Sequence, residues 1–257
     1  MGTCIVFANQ KGGVGKTTST VNVGAYLAEA SKRVLLVDFD PQGNLSSSVG
    51  ADRNKPDVYA LLTGSATFEQ VVQQTSVKNL FILPASINLT GATVELVDQK
   101  EREFFLKRVL AKPKADFDFI LIDCPPSLGI LTVNGLTAAD QVIIPLQTEY
   151  FALEGLTQLV QSIKLIQKST NAALDIGGII FTMYDSRTKL AQDVVQEVIG
   201  YFGQRVFKTI IPRNVRLSEA PSHGVPINLY DAVCPGARSY KQLAAEVLER
   251  AAAAKTR

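Results

Sequence analysis

The chain has 257 residues but one histidine, three cysteines and a net charge of only +2. Each shortage removes a class of chemistry. His223 stands alone. A lone histidine is more often structural or exposed than catalytic, so no nucleophile triad is read and no chemistry is assigned to it. Cys4, Cys124 and Cys234 are odd in number, far apart and without metal-ligand spacing. Two of them sit in apolar, strand-like surroundings, and all three read as reduced, mostly buried thiols of a cytosolic protein. A nearly neutral total does not announce a nucleic-acid binder, so any basic footprint has to be local. No basic stretch followed by an apolar signal core opens the chain, and no apolar run reaches membrane-spanning length. A soluble, cytoplasmic protein is expected.

Apolar residues make up 46% of the chain, enough for one sizeable core near the upper size for a single domain. Short β-rich apolar runs alternate with longer helical patterns. Strands are expected at Thr3–Ala8, Val34–Asp38, Leu80–Pro84, Phe119–Asp123, Val142–Pro145, Gly177–Met183 and Lys208–Ile211. Helices are expected around 16–30, 89–111, 153–169, 189–202 and 237–254. Several strands are continuous apolar runs, as strands covered on both faces require. The alternation predicts an α/β fold: a mostly parallel twisted sheet with helices on both faces, in one domain spanning 1–257.

The run Asn9-Gln10-Lys11-Gly12-Gly13-Val14-Gly15-Lys16-Thr17-Thr18 lies between the first strand and the first helix, the context a phosphate-binding loop needs. Gly12, Gly13 and Gly15 let the backbone turn and approach a polyphosphate. The N–H groups of the loop and of the helix N-terminus, Thr18 included, then face the anion. Lys16 can reach the β- and γ-phosphates and the Thr17 hydroxyl can ligate Mg²⁺. The pattern G-x-x-x-x-G-K-[ST] would place its first glycine at Gln10, and an additional lysine, Lys11, precedes the glycine pair. Either Lys11 reaches the nucleotide of a second subunit or it is a solvated loop lysine.

Two further strands end in acid. After Val34–Asp38 the chain reads Phe39-Asp40-Pro41-Gln42-Gly43-Asn44, where Asp40 could orient a water near a γ-phosphate or simply cap a turn. In Phe119–Asp123, four apolar residues deliver one carboxylate, which suits Mg²⁺ directly or through water. Pro125 and Pro126 stop that strand. Residues 201–217 hold Arg205, Lys208, Arg213 and Arg216 and no acid, with Arg187 and Lys189 just upstream. This is either a solvated basic face or a surface for DNA backbone binding without base readout, through Arg187, Lys189, Arg213 and Arg216. In the last helix Tyr240, Leu243, Ala244, Val247, Leu248 and Ala251 share a stripe that reads as packed on the domain. The mixed-sign opposite side does not suit a membrane surface.

The segments Lys11–Thr18, Val37–Asn44, Ile122–Ser127, Glu149–Leu156, Thr182–Thr188 and Ile211–Gly224 together resemble the ParA/Soj family of chromosome- and plasmid-partition ATPases, a class with a deviant phosphate loop that includes MinD. The absent first glycine is normal for that family. The resemblance implies a P-loop ATPase with ATP and Mg²⁺, in which two subunits sandwich two nucleotides and Lys11 contacts nucleotide across the homodimer. It implies that Lys16 and Thr17 serve phosphates and metal, that Asp40 positions the attacking water, that Asp123 supports the metal, and that Met183, Pro212 and Asn214 lie in segments facing the base. It further implies ATP-dependent binding to non-specific double-stranded DNA on the nucleoid and slow hydrolysis stimulated by a ParB-type centromere-binding protein, with no stable membrane binding. The alternative within the fold is a MinD-like or other positioning ATPase with a membrane or protein cargo. An iron–sulfur reductase-type relative would need bridging cysteines that the three present do not supply. A non-hydrolysing DNA scaffold sits poorly with the intact set Lys11, Lys16, Asp40 and Asp123.

Overall fold

Runs such as Val-Leu-Leu-Val and Phe-Ile-Leu-Ile have no polar face to give to water, and they become the middle of a sheet. The computed structural model describes residues 2–95, 98–149 and 151–255. Its strands are β1 (Thr3–Phe7), β2 (Val34–Asp38), β3 (Gln73–Gln74), β4 (Leu80–Leu83), β5 (Phe119–Asp123), β6 (Gln141–Gln147) and β7 (Asp175–Thr182). They form one sheet in the order β3-β4-β2-β5-β1-β6-β7. Only the short edge strand β3 runs antiparallel to its neighbour. Every residue of β2 and β5 is buried. Alternate residues serve different faces, as the pleat dictates. Val6, Leu35, Val37, Ile120 and Ile122 join one core, with Leu131 and Leu136 of the helix Ile130–Ala138 and Leu156, Leu159 and Ile163 of the helix Ala152–Ser169. Ile5, Phe7, Leu36 and Leu121 join the other, beneath the helices Lys16–Glu29 and Pro235–Lys255. The apolar stripe of this last helix is packed as expected: Tyr240, Leu243, Ala244, Val247 and Ala251 are buried, and Tyr240 Oη meets Ser19 Oγ at 3.1 Å.

Two expectations need correction, and one helix is new. Lys208–Ile211 is not a strand; only isolated bridges, Ile179 with Val206 and Tyr184 with Pro212, flank it. The N–H groups of Lys208 and Thr209 go instead to the Glu246 carboxylate, at 2.9 and 2.8 Å. The helix expected over 89–111 is divided into Leu89–Glu95, a 3₁₀ turn Arg102–Phe104 and Phe105–Ala111. Glu101 adopts a left-handed φ of 54°. The buried Asn134 side chain takes the Leu106 N–H at 3.1 Å and donates to the Arg102 carbonyl at 2.8 Å. These long-range bonds restart the helix. Leu96 and Val97 of the expected helix, and Tyr150 of the 149–156 segment, lie outside the described residues. The helix Ile130–Ala138 had not been expected at all; polar as well as apolar residues of it are buried, so it lacks the one-sided pattern that marks a surface helix.

Candidate nucleotide site

The register of the central strands brings the site together. Asp38 and Asp123 are partners at the ends of β2 and β5, and Phe7 of β1 is level with Asp123. The loop after β1 therefore crosses the carboxyl ends of the strands, where open α/β sheets bind ligands. It is tied down on its far side. Asn9 Nδ2 donates to the Pro145 carbonyl at 2.7 Å, and Thr182 Oγ1 donates to the Val14 carbonyl at 2.8 Å. Gly13 and Gly15 have φ of 72° and 83°, a left-handed backbone that glycine adopts without Cβ strain. Gly15 is the cap of the helix Lys16–Glu29 and supplies no side-chain acceptor. The first N–H groups of a 14-residue helix are thus free of a side-chain cap and suited to an anion.

Lys16 is only 7% exposed. Burial pulls its ammonium below the usual lysine range, against the opposing pull of the Asp123 and Asp40 carboxylates. Its Nζ donates to the Lys11 carbonyl at 3.1 Å, a weak partner that a phosphate oxygen would replace. Thr17 Oγ1 donates to Asp123 Oδ2 at 2.6 Å. Asp123 Oδ1 is buried with no hydrogen-bond partner. Burial, then the neighbouring Asp38, pushes the Asp123 carboxyl well above the usual range. A half-satisfied buried carboxylate beside a threonine hydroxyl fits a hard divalent cation. Among the described residues no group of three or more His, Cys, Asp and Glu side chains could cage one. The remaining ligands would then be phosphate oxygens and water, the usual arrangement for Mg²⁺.

Asp40 is 8% exposed and lines the same cleft, of about 550 Å³, as Gly12, Gly13, Gly15, Lys16, Thr17 and Thr18. A smaller pocket of about 190 Å³ adjoins it and contains Met183, Pro212 and Asn214. The three residues expected to face a base therefore border the phosphate loop. Ile211, Leu217 and Tyr240 line that pocket too. Sequence reasoning missed them in this role; Tyr240 was read only as part of a packing stripe. Of the nucleotide contacts expected over Lys11–Thr18, two do not line the cleft. Val14 is buried, and Lys11 is half-exposed and ion-paired with Glu149.

The expected DNA contacts fall on neighbouring segments. Tyr184 N–H donates to the Ile211 carbonyl at 3.1 Å, which joins the stretch carrying Arg187 and Lys189 to the one carrying Arg213 and Arg216. Arg187 grips Asp185 through Nε and a terminal nitrogen at 2.8 and 2.6 Å. This pairing, with Arg213 nearby, holds the Asp185 carboxyl well below its usual range. Arg216 lies 2.9 Å from Glu219 and 3.6 Å from Asp231. Arg205, counted in the same basic run, pairs with Asp175 at 3.1 Å. A run without acids in sequence is thus supplied with acids in space. Asp185, two residues before Arg187, and Glu219, three after Arg216, were the legible signal.

A sheet of this order, with a glycine-rich loop after a central strand and carboxylates ending two neighbours, defines a P-loop nucleotide hydrolase. The family described as AAA domain matches residues 2–176. The chromosome-partitioning ATPase Soj of Treponema pallidum is 65% identical over 97% of this chain and 98% of that protein. The sporulation initiation inhibitor protein Soj of Bacillus subtilis is 54% identical over 96% and 98%. The crystal structure of a Mycobacterium smegmatis protein described as cobyrinic acid a,c-diamide synthase, with bound ATP analog and magnesium, superposes with a TM-score of 0.86 at 41% identity, covering 96% of this chain and 94% of that one. The chain belongs to the Soj/ParA family of chromosome-partitioning ATPases.

Proposed function

We propose that this ATPase binds Mg²⁺-ATP in the cleft above β1, β2 and β5, dimerises on ATP, and as a dimer binds double-stranded DNA without sequence preference. In this reading it segregates chromosome or plasmid DNA with a ParB-type partner, in the cytoplasm and on the nucleoid. The observation that carries the nucleotide half is the convergence of buried Lys16, the Thr17–Asp123 pair and Asp40 on one cleft. Lys16 and the loop N–H groups hold the β- and γ-phosphates and offset the charge that builds on them. Thr17 and Asp123 hold the cation. Bound Mg²⁺ neutralises phosphate oxygens and fixes their geometry. Asp40 orients a water for in-line attack on the γ-phosphorus; the new P–O bond forms as the bond to the bridging oxygen breaks, and ADP leaves. Met183, Pro212 and Asn214 enclose the base.

Lys11 supports the dimer. It stands outside its own cleft, half-exposed, and carries a charge that its own subunit's phosphate site does not use. A second subunit's nucleotide would complete its role, and a site completed only on dimerisation hydrolyses slowly until a partner stimulates it. For DNA, Arg187, Lys189, Arg213 and Arg216 form the basic surface. The test is binding to a random-sequence duplex with no nucleotide, ADP or ATP, in wild type and Arg216→Ala. Binding that needs ATP, ignores sequence and weakens in the variant is expected. Absence of DNA binding in every nucleotide state would reassign the cargo.

A further inference from the structure

Asp40 is the first residue of its strand extension that the sheet no longer holds. Phe39 N–H still donates to the Asp123 carbonyl at 2.9 Å, but Asp40 takes its hold elsewhere. Its N–H donates to Asp38 Oδ1 at 3.3 Å. Its carbonyl accepts the Gly43 N–H at 2.9 Å and its Oδ1 accepts the Gln42 N–H at 3.0 Å. The direction of Asp40 therefore depends on where Asp38 and the following turn sit.

Ser46 fixes both. It lies in the helix Asn44–Ser48, which starts directly after that turn, and it has no exposed surface. Its N–H and its hydroxyl both donate to Asp38 Oδ2, at 2.7 and 2.6 Å. The hydroxyl oxygen also accepts the Ala85 N–H, at 2.9 Å, just beyond β4. One hydroxyl thus joins three pieces of chain: the end of β2, the turn that carries Asp40 and the segment after β4. Asp38 is fully buried, so its carboxylate has no water to turn toward, and Ser46 supplies most of its bonds. The hydroxyl is used as donor and as acceptor at once, which fixes its rotor. Buried, fully connected polar groups of this kind specify one geometry rather than several.

We propose that Ser46 is a positioning residue for hydrolysis, aiming Asp40 through Asp38 without touching nucleotide. The inference rests on the reading of Asp40 as the group that orients the attacking water. Removing the hydroxyl frees one bond to Asp38 and strands the Ala85 N–H, and the turn then samples directions in which Asp40 misses the water. The phosphate loop and the base pocket stay intact, because none of their residues bonds to Ser46.

The experiment compares wild type, Ser46→Ala, Ser46→Thr and Asp40→Ala, with ATP-binding stoichiometry measured on each preparation so that kcat is expressed per competent site. For Ser46→Ala the expected result is kcat per site lower by about tenfold or more, the scale of a misplaced catalytic group, with KM for ATP unchanged. Ser46→Thr, which keeps the hydroxyl, restores most of the rate. A wild-type kcat per site in Ser46→Ala, while Asp40→Ala is impaired, overturns the inference and leaves the Asp40 reading standing. A parallel loss of binding sites, KM and kcat in Ser46→Ala overturns it in favour of a role in folding alone. A wild-type rate in Asp40→Ala removes the reading beneath it.

Discussion

Arg216→Ala tests the DNA surface quantitatively. In the free chain the Arg216 guanidinium lies 2.9 Å from Glu219 and 3.6 Å from Asp231, and Glu219 is also held by Tyr230 Oη at 3.1 Å. Contact with a phosphate requires exchange of these acids for the DNA backbone. Each neutralised phosphate contributes about 0.9 to the slope of log affinity against log salt. The proposed homodimer would present Arg216 twice, so the variant should flatten the slope by about 1.8. Between roughly 50 and 200 mM salt, wild type should then lose about tenfold more affinity than the variant. Glu219→Gln acts in the opposite direction, because Arg216 then has only the more distant Asp231 carboxylate to leave: affinity rises at low salt. The assay is fluorescence anisotropy of a labelled random duplex with ATP over a salt series. Equal slopes in wild type and Arg216→Ala would refute this placement of the DNA surface, and a loss confined to particular sequences would refute backbone binding.

Two other predictions concern stability. Burial pushes the Asp38 carboxyl up to about 6, from an ordinary 3.8. An acid with a raised folded value holds its proton more tightly folded than unfolded, so its contribution is complete below about pH 4 and is lost as pH rises through about 6. That rise is worth about 3 kcal/mol. Denaturant titrations of the nucleotide-free protein should show a steeper fall from pH 4 to 7 in wild type than in Asp38→Asn, and parallel profiles would refute it. Gly135→Ala would place a Cβ 2.5 Å from Cys124 Sγ and 3.3 Å from Val6 Cγ2, an overpacking that should destabilise by about 1–3 kcal/mol. Adding Cys124→Ala should recover part of the lost melting temperature, and an unchanged Gly135→Ala melt would contradict the packing described.

The sequence made the centre of this molecule legible because its constraints are local there. A buried parallel strand must be apolar throughout, so β2 and β5 announce themselves and their terminal Asp38 and Asp123 mark the ligand end. A glycine-rich loop between strand and helix has few other uses. The parts that were not legible depend on partners far away in sequence. Lys208–Ile211 has a strand-like composition, but Glu246 takes the N–H groups of Lys208 and Thr209. The helix at 130–138 is packed around most of its circumference and shows no periodicity to detect. The basic run looked unopposed because Asp175 and Asp231 reach it only through the fold. Tyr240 lines the small pocket beside the phosphate loop while it also packs against Ser19, and one apolar stripe in sequence conveys only the second role.

The central claim is that each nucleotide site is completed by Lys11 of the other subunit. The most direct measurement is ATP turnover of Lys11→Ala and Asp40→Ala, separately and mixed in equal amounts. Each variant alone should be close to inactive. In a mixed dimer the Lys11→Ala subunit keeps its own Asp40 and receives Lys11 from its partner, which restores one of two sites. Random pairing then gives about a quarter of wild-type turnover. Turnover in the mixture no greater than the average of the two variants would contradict a shared site and leave Lys11 as a surface lysine paired with Glu149.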